Sequence, residues 1–106
     1  MAQLTEKKVK IEIKLKNPVT SVPQYFWITD KSEIMVVECG GRTRVYSSLC
    51  PHMGAQMQFC SKDETIHCPW HGLRFNSKTL ESRHHRYKHL RELDSDLIGE
   101  TLVIYE

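Results

Sequence analysis

The sequence predicts a single small all-β domain, built as an antiparallel barrel or sandwich. Two observations carry this prediction. The chain has 106 residues, which suits one domain with a modest core. Short β-rich runs recur along the chain with turn residues between them, and no internal repeat or linker interrupts them.

The first strand is predicted by an alternation of apolar and charged residues. Val9, Ile11, Ile13 and Leu15 are separated by single polar positions, so they share one face of a strand. Asn17-Pro18 ends this strand, because proline has no amide hydrogen for the ladder.

A second strand and a β-hairpin follow in the sequence. Gln24–Thr29 is rich in aromatic and β-branched residues, and we expect Tyr25, Phe26 and Trp27 to pack in the core or at the base of the domain. Ile34–Cys39 and Arg42–Tyr46 are strand-like runs joined by Gly40-Gly41. Two glycines can both take positive φ, which a tight two-residue hairpin turn requires.

The second half of the chain contains two similar loops, at about residues 50–57 and 68–73. Each contains a Pro and a Gly, and Glu64–His67 is predicted as a short strand between them. The rest of this half is predicted as three strands, Leu73–Asn76, Tyr87–Leu93 and Thr101–Tyr105. Asp94-Ser95-Asp96 is predicted as a turn before the last strand.

Each of the two loops contains one Cys and one His at close spacing. They read Cys50-Pro51-His52-Met53-Gly54 and Cys68-Pro69-Trp70-His71-Gly72. Thiolate and imidazole groups clustered in this way predict a metal site.

A structural zinc site is one interpretation of this ligand set, since two Cys and two His can close a tetrahedral site. The spacing fits poorly, because zinc fingers usually place the two Cys in one arm and the two His in the other. Mixed arms suit a binuclear cluster, in which the two Cys bind one iron and the two His bind the other.

The pair of motifs is similar to the two cluster-binding boxes of Rieske-type [2Fe–2S] proteins. The resemblance implies that Cys50 and Cys68 bind the inner iron of one [2Fe–2S] cluster. It also implies that His52 and His71 bind the outer iron. Over most of the chain the predicted elements resemble those of the family's small ferredoxins, with a hairpin before the first box and a strand at the C-terminus.

Details of the boxes predict a low reduction potential. High-potential members of the family carry a disulfide between the boxes and hydroxyl donors beside the cluster. Here the residues at the disulfide positions are Ala55 and Trp70, so that disulfide cannot form. The residues at the hydroxyl positions are Leu73 and Phe75, which have no hydroxyl group to donate to the cluster. We expect a potential near the low end of the Rieske range, about −150 mV.

The resemblance implies a one-electron carrier that relays electrons from an NADH-dependent flavin reductase to a terminal oxygenase. The alternatives are an electron-entry domain of a larger Rieske oxygenase and a small subunit like that of nitrite reductase. We expect an electron-transfer protein and not an enzyme in itself. We also expect a cytoplasmic monomer and a single domain over residues 1–106. The mild net charge of +2 does not indicate a nucleic-acid partner, and no apolar run predicts a membrane span.

Three further features are predicted from the sequence alone. Cys39 and Cys60 are expected as free thiols, with a Cys39–Cys60 disulfide as the alternative. His67 is expected as a half-exposed strand residue. The basic stretch Arg83–His89 is interpreted first as a solvated face and second as a docking surface for an acidic partner.

Overall fold

The computed structural model describes residues 8–50, 55–69, 73–80 and 90–105. Within these ranges all regular structure is β-strand, which confirms the all-β prediction. The strands are β1 (Val9–Lys14), β2 (Gln24–Thr29), β3 (Ser32–Cys39), β4 (Arg42–Ser47), β5 (Gln58–Cys60), β6 (Thr65–Cys68), β7 (Leu73–Asn76), β8 (Glu92–Leu93), β9 (Ser95–Ile98) and β10 (Thr101–Tyr105).

The strands form three antiparallel sheets. The first sheet has the order β1-β10-β9, the second β2-β3-β4-β8, and the third β5-β6-β7. We call them the base sheet, the central sheet and the loop sheet. In sequence, β5 and β6 lie between the two predicted loops and β7 follows the second loop, so the loop sheet is the element that positions them.

The central sheet is buried on both faces. One face packs against the base sheet and forms an aliphatic core, made of Leu15, Ile34, Val36, Val45, Leu102 and Ile104. The other face packs against the loop sheet and forms a second core, which includes Met35, Val37, Tyr46, Cys50, Met57, Ile66, Cys68 and Phe75. Because successive strand residues point to opposite faces, the run Ile34 to Val37 supplies both cores in alternation.

The β3–β4 hairpin has the predicted turn. Gly40 and Gly41 have φ values of +62° and +76°, the left-handed conformations that a type I′ turn requires at both central positions. Cys39 pairs with Arg42 directly across this turn.

The aromatic run of β2 is only partly internal. Tyr25 packs against the core on the loop-sheet side, and Phe26 packs against the aliphatic core. The prediction that Trp27 is a core residue is wrong, because its side chain is 59% exposed. Trp27 pairs with Glu33 near the β2–β3 turn, where the neighbouring elements leave it uncovered.

Two predictions in the second half of the chain are corrected. The Asp94-Ser95-Asp96 turn is wrong: β9 begins at Ser95 and pairs with β10, and the turn lies one strand later, at Gly99 with φ +61°. The strand predicted at Glu64–His67 is Thr65–Cys68, since Glu64 has φ +54° and belongs to the preceding turn. At Ser95 and Asp96, pairing with β10 overrides the local turn propensity, whereas at Glu64 the left-handed backbone of the turn makes the strand begin one residue later than predicted.

Two further strands differ from the sequence prediction. Strand β5 was not predicted. Of the predicted Tyr87–Leu93 strand, the described part contains only the short β8, and residues 81–89 lie outside the described ranges.

Candidate metal centre

Cys50 and Cys68 are buried in the same core. Their exposed fractions are 3% and 0%, and both belong to the hydrophobic cluster between the central sheet and the loop sheet. Neither residue is part of a disulfide. The fold therefore brings together the two Cys residues that the sequence pattern singled out, although 17 positions separate them in the chain.

Main-chain hydrogen bonds close the first loop. Cys50 N–H donates to Ala55 O at 2.7 Å, and Met57 N–H donates to Ser48 O at 2.7 Å. Leu49 and Gln56 form an isolated β-bridge between these two bonds. The loop thus begins and ends as a short antiparallel pair, which fixes the backbone at Cys50.

The second loop is carried by the β6–β7 pair of the loop sheet. Cys68 is the last residue of β6 and pairs with Leu73, the first residue of β7. The segment between them is therefore a short connection at the end of a two-strand ladder. This ladder positions Cys68 in the core.

The two histidines of the predicted ligand set, His52 and His71, lie outside the described residues, as does Trp70. Among the residues that are described, no group of three or more His, Cys, Asp or Glu side chains could hold a metal ion. The described part of the centre is therefore the pair of thiols.

The surroundings of these thiols fit an iron–sulfur cluster. Thiolates are the soft ligands that such clusters use, and here two of them lie in an apolar core beside Ala55, Met57 and Phe75. Burial keeps water from both sulfur atoms, and neither sulfur is tied up in a disulfide.

A buried carboxylate and a tyrosine hold the first loop against the central sheet. Glu33 Oε1 accepts hydrogen bonds from Ser48 Oγ at 2.7 Å and Gln56 Nε2 at 2.9 Å. Tyr25 Oη donates to Met57 O at 2.7 Å. Burial, and secondly the charge of Glu33, raise the pKa of Tyr25.

The sequence reasoning missed Glu33. Its signal was a charged residue directly before the predicted strand Ile34–Cys39, whose continuous apolar run indicates burial on both faces. A carboxylate at such a position requires internal partners.

A second polar group joins the loop sheet to the β3–β4 hairpin. Glu64 Oε2 accepts the Gly40 N–H at 2.9 Å and the Cys39 thiol at 3.5 Å, and Lys78 lies 3.5 Å from its other oxygen. The hydrogen bond from the Cys39 thiol lowers the pKa of Glu64 most. The hydrogen bond from the Gly40 N–H and the positive charge of Lys78 lower it further. Cys39 is buried and not part of a disulfide, as predicted, and it also lies 3.3 Å from Ser77 Oγ, so its thiol contributes to this hydrogen-bonded group.

Tyr46 is the largest polar side chain buried between these two sheets. Its hydroxyl donates to Ser77 O at 2.8 Å, and burial, followed by the charge of Glu92, raises its pKa well above the ordinary value. Arg44 forms an ion pair with Glu92 at 3.1 Å. The first bond ties the end of β7 to the central sheet, and the ion pair joins β4 to β8 within that sheet.

The remaining predicted residues are placed as follows. Cys60 is partly exposed, and its thiol and that of Cys39 are both free, so the disulfide alternative is not formed. His67 is a partly buried strand residue, as expected, and its Nδ1 is buried without a hydrogen-bond partner. The Arg83–His89 stretch lies outside the described residues.

None of the described segments is a helix with the length and apolar character that a membrane crossing requires.

The fold and the two buried cysteines together define a class: a small all-β domain in which two loops each bring a cysteine into one buried core. Comparison with family models identifies the family. Residues 12–95 match the Rieske [2Fe-2S] domain, and the chain belongs to that family. A search of curated proteins gives no match.

Two solved structures are similar to this chain. The ferredoxin of carbazole 1,9a-dioxygenase from Nocardioides aromaticivorans IC177 has 26% identity and a TM-score of 0.70, and the match covers 92% of this chain and 96% of that one. The plasma-membrane Rieske protein PetC3 from the cyanobacterium Synechocystis PCC 6803 has 21% identity and a TM-score of 0.63, with 77% and 84% covered. The second likeness concerns the fold alone.

Family membership establishes the cofactor and the general activity. The chain carries a [2Fe–2S] cluster, which decides between the two metal interpretations against zinc, and it is an electron-transfer protein.

Proposed function

We propose that this protein is a ferredoxin that relays single electrons from an NADH-dependent flavin reductase to a terminal oxygenase. The likeness to the ferredoxin of a dioxygenase, over nearly the full length of both chains, carries this proposal. A small carrier of this kind needs a partly accessible cluster and no catalytic residues of its own.

We propose Cys50 and Cys68 as ligands of the inner iron and His52 and His71 as ligands of the outer iron. The burial of both thiols in one core supports the assignment of the inner pair. The family match, which spans both loops, supports the assignment of the histidines. The cluster supplies a one-electron acceptor; the loops exclude water and hold the thiolates in place.

The proposed ligands and their neighbours favour a low reduction potential within the Rieske range. Two neutral imidazoles in place of two thiolates make the cluster less negative, which is why Rieske potentials of roughly −150 to +300 mV exceed those of plant-type ferredoxins. Within this range, hydroxyl donors near the sulfurs favour the reduced state. Phe75, fully buried in the same core, offers no such donor.

Potentiometry of the cluster-loaded protein tests the relay. We expect about −150 mV, which is the low end of the Rieske range. A value above about +100 mV would place the protein with the high-potential members of the family and overturn the proposal.

A direct assay of electron transfer complements the potential. NADH and the flavin reductase of a Rieske dioxygenase system are mixed anaerobically with the protein, and the visible bands of the cluster are followed. We expect bleaching that requires the reductase, and recovery of the bands when the oxidised terminal oxygenase is added.

The setting of the carrier is part of the same proposal. We propose a single domain over residues 1–106 that works as a monomer in the cytoplasm. The free thiols of Cys39 and Cys60 support a reducing compartment. Sedimentation at micromolar concentration tests the oligomeric state.

A further inference from the structure

Glu33 is a carboxylate buried at the start of β3. Glu33 is 5% exposed. Its side chain lies on the same face of β3 as Met35 and Val37, which is the face that packs against the loop sheet. Within the part of the chain that the structure describes, no Lys or Arg forms an ion pair with it. Burying a carboxylate without a cation is costly, so this position needs an explanation.

Among the described residues, the side chains that hydrogen-bond to the Glu33 carboxylate lie at the two ends of the first loop. Oε1 accepts from Ser48 Oγ at 2.7 Å and from Gln56 Nε2 at 2.9 Å, and its main-chain oxygen accepts the Ser48 N–H at 3.0 Å. Ser48 precedes Cys50 by two residues, and Gln56 follows it on the returning arm. One carboxylate therefore ties together the two ends of the loop that carries Cys50.

The charge of Glu33 also acts on this face of the sheet. Among the described residues, the donors that hydrogen-bond to the carboxylate are both uncharged, so these bonds orient it without neutralising it. Burial, and secondly the charge of Glu33, raise the pKa of Tyr25, whose hydroxyl donates to Met57 O on the same loop. In a low-dielectric interior a fixed negative charge opposes the arrival of an electron nearby.

We propose that Glu33 is a positioning residue for the first ligand loop, and that its buried negative charge lowers the reduction potential of the cluster. The proposal rests on the proposed assignment of Cys50 as a ligand. It adds a second cause of low potential to the missing hydroxyl donors, and this cause lies in the central sheet and not in the boxes.

The substitution Glu33→Gln tests the charge. The amide keeps the size of the side chain and an oxygen that can accept from Ser48 and Gln56, while the charge is removed. We expect the equilibrium constant for one-electron reduction to rise about three- to tenfold, which is about 30 to 60 mV at 59 mV per tenfold change. The matched control is Glu38→Gln, an exposed residue of the same strand on the opposite face, which should leave the potential at the wild-type value.

The substitution Glu33→Asp tests the clamp separately. It retains the charge but shortens the side chain, so we expect a potential close to wild type and a release of iron to a chelator at least threefold faster. If Glu33→Gln does not retain its cluster, Glu33→Asp decides the question: unchanged iron release, or a potential raised as far as loss of charge would raise it, overturns the proposal.

The results separate this inference from the proposed function. Equal potentials for Glu33→Gln and Glu38→Gln, in proteins that both carry the cluster, overturn the role of Glu33 and leave the relay untouched. A wild-type protein with a potential above about +100 mV overturns the relay, whereas the difference between the two variants still tests Glu33.

Discussion

The two cores on either side of the central sheet differ in chemistry. The core facing the base sheet is aliphatic, with Leu, Ile and Val side chains only among its fully buried members. The core facing the loop sheet contains Met, Tyr, Phe and the two thiols proposed as ligands, and it is bordered by the hydrogen-bonded groups of Glu33, Ser77 and Glu64. The first core consists of hydrocarbon side chains alone. The second contains the sulfur atoms proposed to bind the cluster, so we infer that it is the half whose stability depends on the cluster.

The largest effect is expected from loss of a thiolate. Cys68→Ser replaces a buried soft ligand with a hydroxyl, and we expect iron to fall from about two atoms per chain to near zero with loss of the visible bands. Iron assay and absorbance measure this. Cys60→Ser is the matched control, since Cys60 is a free thiol at the edge of the loop sheet. A Cys68→Ser protein that keeps its cluster would remove Cys68 from the ligand set.

A matched pair of isoleucines separates the two cores. Ile104 belongs to the aliphatic core and Ile66 to the core around the thiols, and both are fully buried. Each change to Ala should lower the free energy of unfolding by about 2–5 kcal/mol. Only Ile66→Ala should also speed the release of iron to a chelator. Equal rates of iron release from the two variants would show that retention of the cluster depends on both cores alike.

A smaller effect is expected where Tyr46 joins the loop sheet to the central sheet. Tyr46→Phe removes the hydroxyl that donates to Ser77 O at 2.8 Å and leaves that buried carbonyl without this donor. The expected loss in the free energy of unfolding is about 1–3 kcal/mol. Tyr105→Phe is the control, because its hydroxyl bonds Asp96 at the surface. Urea denaturation measures both, and an equal loss would contradict the buried role of Tyr46.

The smallest effect is a dependence on pH at the hairpin turn. The pKa of Glu64 is lowered in the folded protein from its ordinary value of 4.5. Its bonds therefore stabilise the fold above that ordinary pKa, and the contribution is lost as the pH falls through the lowered value. Glu64→Gln should reduce the acid-side loss of stability, measured by urea denaturation at neutral and acidic pH, whereas Glu38→Gln should not. If Glu64→Gln loses as much free energy of unfolding between neutral and acidic pH as the wild type, this role for Glu64 is excluded.

Sequence patterns predicted the parts of the fold that local chemistry dictates. The Gly40-Gly41 hairpin is confirmed, because two adjacent glycines suit the positive φ that a tight hairpin turn requires at both positions. Strands β7 and β10 have the predicted bounds, because their β-rich runs coincide with paired strands. The Cys and His spacing predicted the kind of centre, since few other arrangements suit mixed arms.

The rest depends on tertiary pairing, which no local pattern reports. Ser95 and Asp96 favour turns locally, yet pairing with β10 makes them a strand. Trp27 is exposed at the end of β2, where the strands of the described ranges leave its side chain uncovered. Glu33 could not be assigned a role from the sequence, because its partners lie 15 and 23 residues away.

The most direct test of the account is electron–nuclear double resonance of the reduced protein, prepared with 15N-histidine and, separately, with natural nitrogen. Two histidine nitrogens strongly coupled to the cluster, lost one at a time in His52→Cys and His71→Cys, are the expected result. A cluster whose spectrum shows no coupling to labelled histidine would contradict the proposed ligand set.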